Sequence, residues 1–486
     1  MPIQPPSKAR EWSGLIALMI GFAGLFLTYN PPLAGIEDEV GFLNQALVWS
    51  RGAISAEGAG YTDLADFGLI GGRHLAARHP GRSLLALPFL MVGGLRSVYV
   101  SGLMVHLAMT AIGGLLLSRL GKSPLWAVLL LFHPTLAIYS RTIMADGPAG
   151  AGLLLAGLFL TVPGRRGAIG AGLAIGLAAL MRYHAGLVLP IVVGVMALDR
   201  ERPRRMRDAL LCFAAGSIAG GLIVAYNLIV YGTVLDPFTA GRGTFSARFL
   251  WPNGLFYAGA LMMIWPLMLI APLLDRSRLR WLVRGVVGLF LGSAILYYFH
   301  DRGTSWLQTA VLGQRLIQVA LPLWIVSYAL VIEDRVGRPS RVILTMVGVG
   351  LLMANGLIFE THQRHLKRLL SAREALVQAV PAGSLIVVDG SLRKLFGVPV
   401  GVPTYRWHDL TYQGTSLIRP GDPILDREPS RWFLAILDAR GDGTLPDAAM
   451  ALIEHYRMVP VPSGEPGLAL FGTAYFNGSE SRDRPN

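Results

Sequence analysis

Long apolar stretches separated by short basic loops fill the first three quarters of the chain. The hydrocarbon core of a bilayer is ~30 Å thick, so a helix that crosses it needs about 20 predominantly apolar residues. Stretches of this kind occur at residues 13–29, 98–118, 124–140, 146–162, 168–181, 184–198, 209–231, 255–274, 281–299, 316–332 and 341–359. The pattern therefore predicts a mainly α, polytopic transmembrane helical bundle of about eleven spans.

Arginine and lysine occupy every second short loop, which assigns a side of the membrane to each loop. The basic positions are Lys8 and Arg10, Arg119 and Lys122, Arg165 and Arg166, 200–207, 276–284 and 335–341. Because cytoplasmic loops carry the excess of positive charge, these loops and the N-terminus are predicted to be cytoplasmic. The regions then predicted outside a multi-pass inner (plasma) membrane are 30–97, 141–146, 232–254, 300–315 and everything after 360. No small-residue cleavage site precedes Asn30-Pro31-Pro32, so we expect the first span to be retained.

The first external loop, 30–97, is too long to be a plain connection and is expected to have structure of its own. From Glu39 to Ser50 its apolar residues recur at helical spacing, which predicts an amphipathic helix on the membrane surface that Gly52 ends. Residues 83–95 are apolar but too few to span a bilayer, and they suit a second surface helix or a re-entrant helix.

After residue 360 the pattern changes from long apolar stretches to short ones. The runs at 385–389 and 432–438 have the length of buried strands, and polar, helix-like stretches lie between them. We therefore predict two domains: a transmembrane catalytic bundle at 1–359 and a small extracytoplasmic α/β domain at 360–486.

Composition supports a membrane protein and argues against two other classes. The chain is 53% hydrophobic and only 15% charged, with a mean hydropathy of +0.51. Its net charge of +13 is spread between apolar stretches without an aromatic-interleaved basic patch, so we predict no nucleic-acid partner. One cysteine, Cys212, excludes an intrachain disulfide framework.

Two acidic sites stand at the external ends of predicted spans. One is the pair Asp38 and Glu39, and the other is Asp146, where the chain re-enters the membrane. Ionisable groups at such depth are costly unless they are paired or hydrated, which makes them functional candidates. The alternative is that these carboxylates only cap the helices that they begin.

Several cations are predicted on the same side as these carboxylates. They are Arg78, His79 and Arg82 in the first loop, Arg141 beside Asp146, and Arg315 at a later span end, with Arg96 and Arg182 at further span ends. Arginine forks pair with phosphate oxygens, so this set could bind the phosphate of a lipid-linked donor. Ordinary contact with membrane lipid headgroups is the alternative.

A metal or other cofactor is not specified by any spacing in the sequence. Asp38, Glu39 and Asp146, together with His79, could hold a divalent cation through oxygen and imidazole ligands. The metal therefore stays a possibility and any other cofactor is unknown.

The order of these motifs resembles the GT-C superfamily of membrane glycosyltransferases, in particular the group of the protein O-mannosyltransferases and the aminoarabinose transferase of lipid A. A first span leads to an external Asp-Glu pair, here Asp38-Glu39. A loop with a Lys/His-Pro-Pro element follows, here His79-Pro80-Gly81, and Arg96 opens the next span. An Arg-x-x-x-x-Asp element comes later, here Arg141 to Asp146. The resemblance covers about residues 13–330.

The resemblance implies a transferase that moves a sugar from a polyprenyl-phosphate donor to an extracytoplasmic lipid, glycan or protein acceptor. It implies that Asp38 is the general base and that the anomeric carbon inverts. Asp146 would orient the acceptor, support Asp38 or bind a cation, and Glu39 would be a supporting or metal-binding carboxylate.

Two other classes stay open at this stage. A transporter or flippase of lipid-linked saccharides should carry polar residues at the midplane of broken helices, often in repeated halves, whereas here the carboxylates lie at span ends. A non-catalytic scaffold that holds the C-terminal domain outside would give Asp38 and Asp146 no special role.

Overall fold

A computed structural model describes most of the chain. The described residues are 8–61, 64, 66–235, 237, 245–297, 306–337, 340–388, 392, 406–412, 415–426, 432–437, 445–465 and 468–473. Parts of the predicted external regions 232–254 and 300–315, the ends of the strand-like runs at Asp389 and Asp438, and the polar tail lie outside the described residues.

The chain divides into two compact units that interleave along the sequence. We call one the membrane unit, which comprises Met1–Pro31, Gln45–Tyr61 and Phe67–Thr361. The other, the sheet unit, comprises Pro32–Asn44, Thr62–Asp66 and His362–Asn486. These units are groups of residues in contact and do not test which parts fold independently. The predicted domains, 1–359 and 360–486, therefore remain a prediction.

The membrane unit consists mainly of helices. In chain order they are α1 Lys8–Thr28, α2 Glu37–Ser50, α3 Pro80–Ser97, α4 Val100–Arg119, α5 Val128–Leu131, α6 Pro134–Ser140, α7 Asp146–Leu160, α8 Gly164–Met181, α9 Val188–Leu198, α10 Arg205–Tyr231, α11 Leu250–Ile264, α12 Ala271–Leu274, α13 Arg280–Leu296, α14 Trp306–Gly313, α15 Leu321–Val336 and α16 Arg341–Ala379. Two of them, α2 and α16, begin in one unit and end in the other.

Among the described residues, four helices are long and apolar enough to cross a bilayer: Ala9–Thr28, Val100–Arg119, Arg205–Tyr231 and Val342–Ala379. Two bent pairs, Ala247–Ile264 with Met268–Leu274 and Thr309–Ile317 with Leu321–Val336, raise the number to six if each pair is one broken span. The chain is a multi-pass membrane protein, and the count of eleven spans remains a prediction.

The predicted span 124–140 is wrong as a single helix. It consists of a 3₁₀ turn at Pro124–Ala127 followed by α5 and α6, and Phe132 and His133 separate these two helices. Pro134 opens α6, and a proline inside a continuous helix would remove one backbone hydrogen bond and clash with the preceding turn.

The helices α7, α8 and α10 pack closely because small residues face one another. A Cβ on Gly172 of α8 would come within 2.2 Å of the carbonyl oxygen of Cys212 in α10. A Cβ on Gly152 of α7 would lie 3.0 Å from the carbonyl oxygen of Ala174 in α8. Such close backbone approach is typical of helix pairs in membranes, where packing replaces hydrophobic association.

The helix predicted from Glu39 to Ser50 exists as α2, and the chain turns at Gly52 with φ +70°. Its predicted position on the membrane surface is wrong, because every residue from Glu39 to Val48 is buried. Apolar side chains point in all directions around α2, and the polar Gln45 has partners inside the unit. Its Nε2 donates to the carbonyl of Arg78 at 3.2 Å and to the hydroxyl of Tyr226 at 3.0 Å.

A short hairpin leads from α2 to α3. It pairs β1 Phe67–Ile70 with β2 Arg73–Ala76, and Gly71 and Gly72, both at positive φ, make its two-residue turn. Residues 83–95 lie within α3, whose backbone leaves helical geometry at Gly94 with φ 69°. The exposed Met91 and Val92 precede this break, and the surface or re-entrant role of the segment remains a prediction.

The sheet unit contains a five-stranded sheet whose strand order is β4-β3-β7-β9-β8. The strands are β3 Leu385–Val388, β4 Arg406–Asp409, β7 Trp432–Leu437, β8 Val459–Pro460 and β9 Leu468–Gly472, and the short pair β5 Thr411–Tyr412 and β6 Thr415–Ser416 stands apart. Two further helices are α17 Pro423–Asp426 and α18 Asp447–His455.

Both apolar runs noted in the sequence form strands, β3 and β7, and every residue of each is buried. They pair in parallel, and a parallel strand covered on both faces is expected to be continuously apolar. One core cluster packs Ile386 and Phe433 against Leu369 of α16, and a second places Val387 and Leu434 together.

Candidate active site

Asp38 and Glu39 lie in the first turn of α2, within the sheet unit. Glu39 is fully buried, and its Oε2 accepts hydrogen bonds from the backbone N–H groups of Gly35 at 2.7 Å and Ile36 at 2.9 Å. This carboxylate therefore caps the N-terminus of the helix by accepting from N–H groups that precede it in the chain. Asp38 is only half-buried, so it is the more accessible carboxylate of the pair.

The segment that precedes Asp38 is fixed by other parts of the sheet unit. Leu33 packs against the core cluster that contains Leu366. Gly35 lies so near α16 that a Cβ there would come within 3.1 Å of the Nε2 of His362 and of Leu366. The second half of α16 therefore supports the start of α2 and the acidic pair.

Asp146 is buried at the N-terminus of α7, in the membrane unit. Its Oδ2 accepts a hydrogen bond from the Nη2 of Arg182 at 2.7 Å, which makes a buried ion pair. The helix dipole also favours a carboxylate in the first turn. Arg182 follows the last residue of α8 in an extended conformation, so its side chain leaves the axis of that helix.

Two further arginines of the membrane unit are fully buried. Arg82, in the first turn of α3, donates from Nη1 to the hydroxyl of Ser101 at 2.9 Å and from Nη2 to the carbonyl of Thr142 at 3.4 Å. Arg141 lies with its guanidinium 4.6 Å from the ring centre of Phe359, within cation–π range. Both groups hold neighbouring segments together.

A small cavity of about 20 Å³ lies among the polar groups near Arg82. Its walls include Thr142, Gly147 and Gln318, and the buried Oε1 of Gln318 has no hydrogen-bond partner among the described residues. A space of this size holds one water molecule and is far too small for a sugar or a phosphate. We therefore assign the cavity to internal hydration beside the start of α7.

His79 packs against Tyr183, with the ring centres 3.8 Å apart and the ring planes tilted by 42°. Burial, followed by the charges of Arg182, His184 and Arg78, lowers the pKa of His79 to about 3. At neutral pH the ring is therefore uncharged and could offer a phosphate a hydrogen bond but no positive charge. Tyr183 in turn donates its hydroxyl to Asn227 at 3.3 Å.

Acidification is expected to destabilise the membrane unit through His79. Its folded pKa of about 3 lies below the usual value of 6.5, so the unfolded state binds the proton first. The contribution to stability is complete above pH 6.5 and is lost as the pH falls toward 3, by at most about 1.4 kcal/mol per pH unit. Melting temperatures measured between pH 7.5 and 5.5 should fall less in His79→Asn than in the unchanged protein. The control His455→Asn should fall as much as the unchanged protein does. An equal fall in His79→Asn and in the unchanged protein would contradict this prediction.

The structure brings some of the predicted cations together. Arg78, His79, Arg182 and His184 lie close enough for their charges to interact, and Asp146 and Arg182 both act on His184. Arg78 is half-buried, and so is Arg315, which lies in the 3₁₀ turn Gln314–Ile317 ahead of α15. Arg96 is exposed near the end of α3.

Sequence reasoning noted Arg182 only as one cation at a span end. The signal that could have singled it out is the sequence Arg182-Tyr183-His184, a polar cluster directly after the apolar stretch of α8. Gln45 is a further polar residue that the structure places inside the unit. Its Oε1 accepts the hydroxyl of Ser83 at 2.5 Å, so the side chain joins α2 to α3.

Gly81 holds the position of the second proline of the family element, and the structure gives a reason for its size. A Cβ at Gly81 would come within 2.5 Å of the carbonyl oxygen of Leu180 and 2.9 Å of the backbone nitrogen of Met181. The start of α3 therefore lies directly on the end of α8. This contact places Arg82 and Arg182 in neighbouring segments.

Gly81→Ala is expected to reduce the stability of the protein, because the added methyl group meets backbone and not a movable side chain. Overpacking of this kind typically costs about 1–3 kcal/mol. The matched control is Gly194→Ala in α9, where a Cβ meets nothing within 4 Å and the helix should be unaffected or slightly stabilised. Melting in detergent measures both, and an unchanged Gly81→Ala would show that the α3–α8 contact is loose.

Within the described part of the chain, no group of three or more His, Cys, Asp or Glu side chains could hold a metal ion. The cation site expected from Asp38, Glu39 and Asp146, together with His79, is not among such groups, and we assign no step to a metal.

This chain is similar to known proteins in structure but not detectably in sequence. No family model and no curated protein matches the sequence. The fold is similar to that of ArnT from Cupriavidus metallidurans in the apo state, with 12% identity, 95% of this chain and 98% of that chain covered, and a TM-score of 0.56. It is similar to ArnT bound to undecaprenyl phosphate, with 12% identity, 99% and 100% covered, and a TM-score of 0.56.

A third similar structure is the arabinofuranosyltransferase AftD from Mycobacteria. The identity is 14%, the TM-score is 0.50, and the match covers 96% of this chain and 41% of that chain. ArnT and AftD are both GT-C proteins, and the match with ArnT extends over both units of this chain. The predicted resemblance is thereby confirmed at the level of the fold: this chain has the fold that ArnT and AftD share.

Proposed function

We propose that this protein is a glycosyltransferase that moves a sugar from a polyprenyl-phosphate donor to an extracytoplasmic lipid, glycan or protein acceptor. The observation that carries the proposal is the GT-C fold over nearly the whole chain, shared with a structure of ArnT that contains undecaprenyl phosphate. The acidic pair at the start of α2 and Asp146, which pairs with Arg182, lie at the sequence positions where the family motifs occur.

In the proposed reaction, Asp38 is the general base. Its carboxylate takes the proton of the acceptor hydroxyl as the acceptor oxygen bonds to the anomeric carbon of the sugar. The bond between that carbon and the donor phosphate breaks on the opposite face, so the configuration inverts and the polyprenyl phosphate leaves with the electron pair. A positioned carboxylate contributes about 10²- to 10⁴-fold to such a step.

The burial of the two acidic residues favours Asp38 over Glu39 for this role. Glu39 is fully buried and holds two backbone N–H groups, so proton transfer through it would disrupt the start of α2. Asp38 is half-buried in the same turn. We assign Glu39 to positioning the helix that carries Asp38.

The leaving phosphate gains negative charge, which cationic groups must offset. Arg78 and Arg315 are half-buried and suit direct contact with the donor phosphate. Arg82 and Arg141 are fully buried, and we assign them to holding the surrounding segments. His79 is uncharged and would contribute one hydrogen bond, while Asp146, held by Arg182, would orient the acceptor.

Purified protein in nanodiscs, incubated with polyprenyl-phosphate sugars labelled in the sugar, tests the proposal. We expect release of free polyprenyl phosphate in step with formation of a glycosylated acceptor whose anomeric configuration, read by NMR, is opposite to that of the donor. In proteoliposomes, movement of intact labelled donor between leaflets without cleavage would instead establish a flippase. A product with the donor's configuration would overturn the single-displacement mechanism.

A further inference from the structure

A second charged region lies at the other end of the membrane unit from Asp146. The helix α7 begins at Asp146 and ends at Leu160, so its two ends are about 21 Å apart. Leu160 lines a cavity of about 630 Å³, and Arg276 and Asp334 line both this cavity and a second one of about 620 Å³. The two cavities therefore adjoin each other, on the side that the sequence predicts to be cytoplasmic.

The second cavity, which we call the basic pocket, is lined by the residues that join α12 to α13 and by the end of α15. Its cations are Arg276, Arg280, Arg284 and Arg335. Its two carboxylates are Asp275 and Asp334. The pocket therefore has more positive than negative groups in its walls.

Both carboxylates of the basic pocket are already engaged. Buried Asp275 accepts from the backbone N–H of Ser277 at 2.7 Å and from the hydroxyl of Ser327 at 2.9 Å. Asp334 forms an ion pair with Lys122. Neither carboxylate pairs with an arginine side chain of the pocket within the described part of the chain, so the four arginines of the wall are in excess over its two carboxylates.

The arginines of the basic pocket differ in how many hydrogen bonds they make to the protein. Arg284 is fixed, because its Nε donates to the carbonyl of Pro272 at 3.0 Å and its Nη2 to that of Leu273 at 2.9 Å. Arg276 and Arg335 are exposed, and neither makes a hydrogen bond or ion pair to any described residue. Two guanidinium groups are thus available to a ligand.

The rim of the basic pocket has the character of a membrane interface. Trp281 is 59% exposed, and the guanidinium groups of Arg284 and Arg280 lie 5.0 and 5.9 Å from its ring centre. Leu273, which lines the pocket, and Val336, the residue after Arg335, are also largely exposed. An exposed indole beside apolar side chains is typical of the headgroup level of a bilayer.

We propose that the basic pocket binds the phosphate headgroup of an anionic phospholipid of the predicted cytoplasmic leaflet. Arg276 and Arg335 contact the phosphate oxygens, Trp281 lies against the glycerol region, and the acyl chains run along Leu273 and Val336. Basic pockets between membrane helices bind such headgroups, and arginine forks match phosphate geometry. The site is separate from the proposed donor site, so it does not depend on glycosyl transfer.

The main test compares two double variants of the full-length protein in detergent by native mass spectrometry. Arg276→Gln with Arg335→Gln removes the two available guanidinium groups of the pocket. Arg165→Gln with Arg166→Gln removes two exposed arginines from the start of α8, on the same predicted side. The first pair should weaken retention of phosphatidylglycerol relative to phosphatidylcholine by about tenfold or more. The control pair should leave this retention unchanged. An equal loss in the two double variants would show that the lipid binds to exposed positive charge in general and not to the pocket.

Two further measurements separate the remaining outcomes. Inorganic phosphate or glycerol phosphate at millimolar concentration should not displace the lipid, because neither has chains to bury, and full displacement by either would assign the pocket to a soluble anion. Phosphatidylglycerol brominated on its chains should quench fluorescence of the unchanged protein more than that of Trp281→Phe. This measurement keeps all four arginines, so it applies even if the double variant does not fold, and equal quenching would overturn the proposal.

Discussion

Asp38→Asn is expected to lower the turnover of sugar transfer by about 10²- to 10⁴-fold, the contribution of a positioned general base. Asparagine keeps the shape of the side chain and its half-buried place in the first turn of α2, but it cannot accept a proton. Donor binding should change little, because the carboxylate acts on the acceptor hydroxyl. Initial rates over a range of donor concentrations therefore separate a large loss of kcat from a small change in KM.

Glu39 gives a matched comparison for Asp38 from the same helical turn. Glu39→Gln keeps an oxygen that can accept the N–H groups of Gly35 and Ile36, so its kcat should fall much less. Glu39→Ala removes the cap and should lower the melting temperature, because two backbone groups near the start of α2 lose their acceptor. Full turnover in Asp38→Asn, with a large loss in Glu39→Gln, would transfer the role of base to Glu39.

The second large effect is expected at the buried ion pair of Asp146 and Arg182. Asp146→Asn leaves the guanidinium of Arg182 without its partner carboxylate inside the membrane unit. Breaking a buried pair from one side typically costs about 3–5 kcal/mol, and we expect the lower end because Arg182 keeps some contact with water. Sugar transfer should fall as well, since Asp146 would no longer be held at the start of α7. Thermal melting and transfer rates are measured on the same preparations.

The double variant Asp146→Asn with Arg182→Gln separates stability from function. Removing both charges eliminates the uncompensated cation, so most of the lost stability should return while sugar transfer stays low. The exposed pair Arg278 and Glu201, 3.0 Å apart, is the matched control, and its removal should cost less than about 1 kcal/mol. Recovery of transfer together with stability would show that the pair only holds α7 and α8 together.

The sequence was most informative where structure depends on local pattern. The turn of the chain at Gly52 after α2, the start of α7 at Asp146 and the strands β3 and β7 all correspond to features that short windows contain. Helix caps, glycine at positive φ and continuous apolar runs act over a few residues. The order of the family motifs likewise predicted the fold that this chain shares with ArnT, although no family model and no curated protein matches the sequence.

Burial of α2 is a case in which the local pattern was misleading. Apolar and polar residues at helical spacing are equally consistent with a helix on a membrane surface and with a buried helix whose polar groups find partners. Gln45 decides between them, because it bonds to Arg78, Ser83 and Tyr226, and the last of these lies 181 residues away. No short window of sequence contains that information.

What the sequence determined by itself is the membrane character of the chain, its helical class and the two acidic positions, since hydropathy and helix ends are properties of consecutive residues. Tertiary structure alone decided that Arg182 pairs with Asp146, that Glu39 caps α2 while Asp38 stays accessible, and that His79 is uncharged. These outcomes depend on which distant segments pack together. Charge, burial and hydrogen bonding at a site are set by those neighbours.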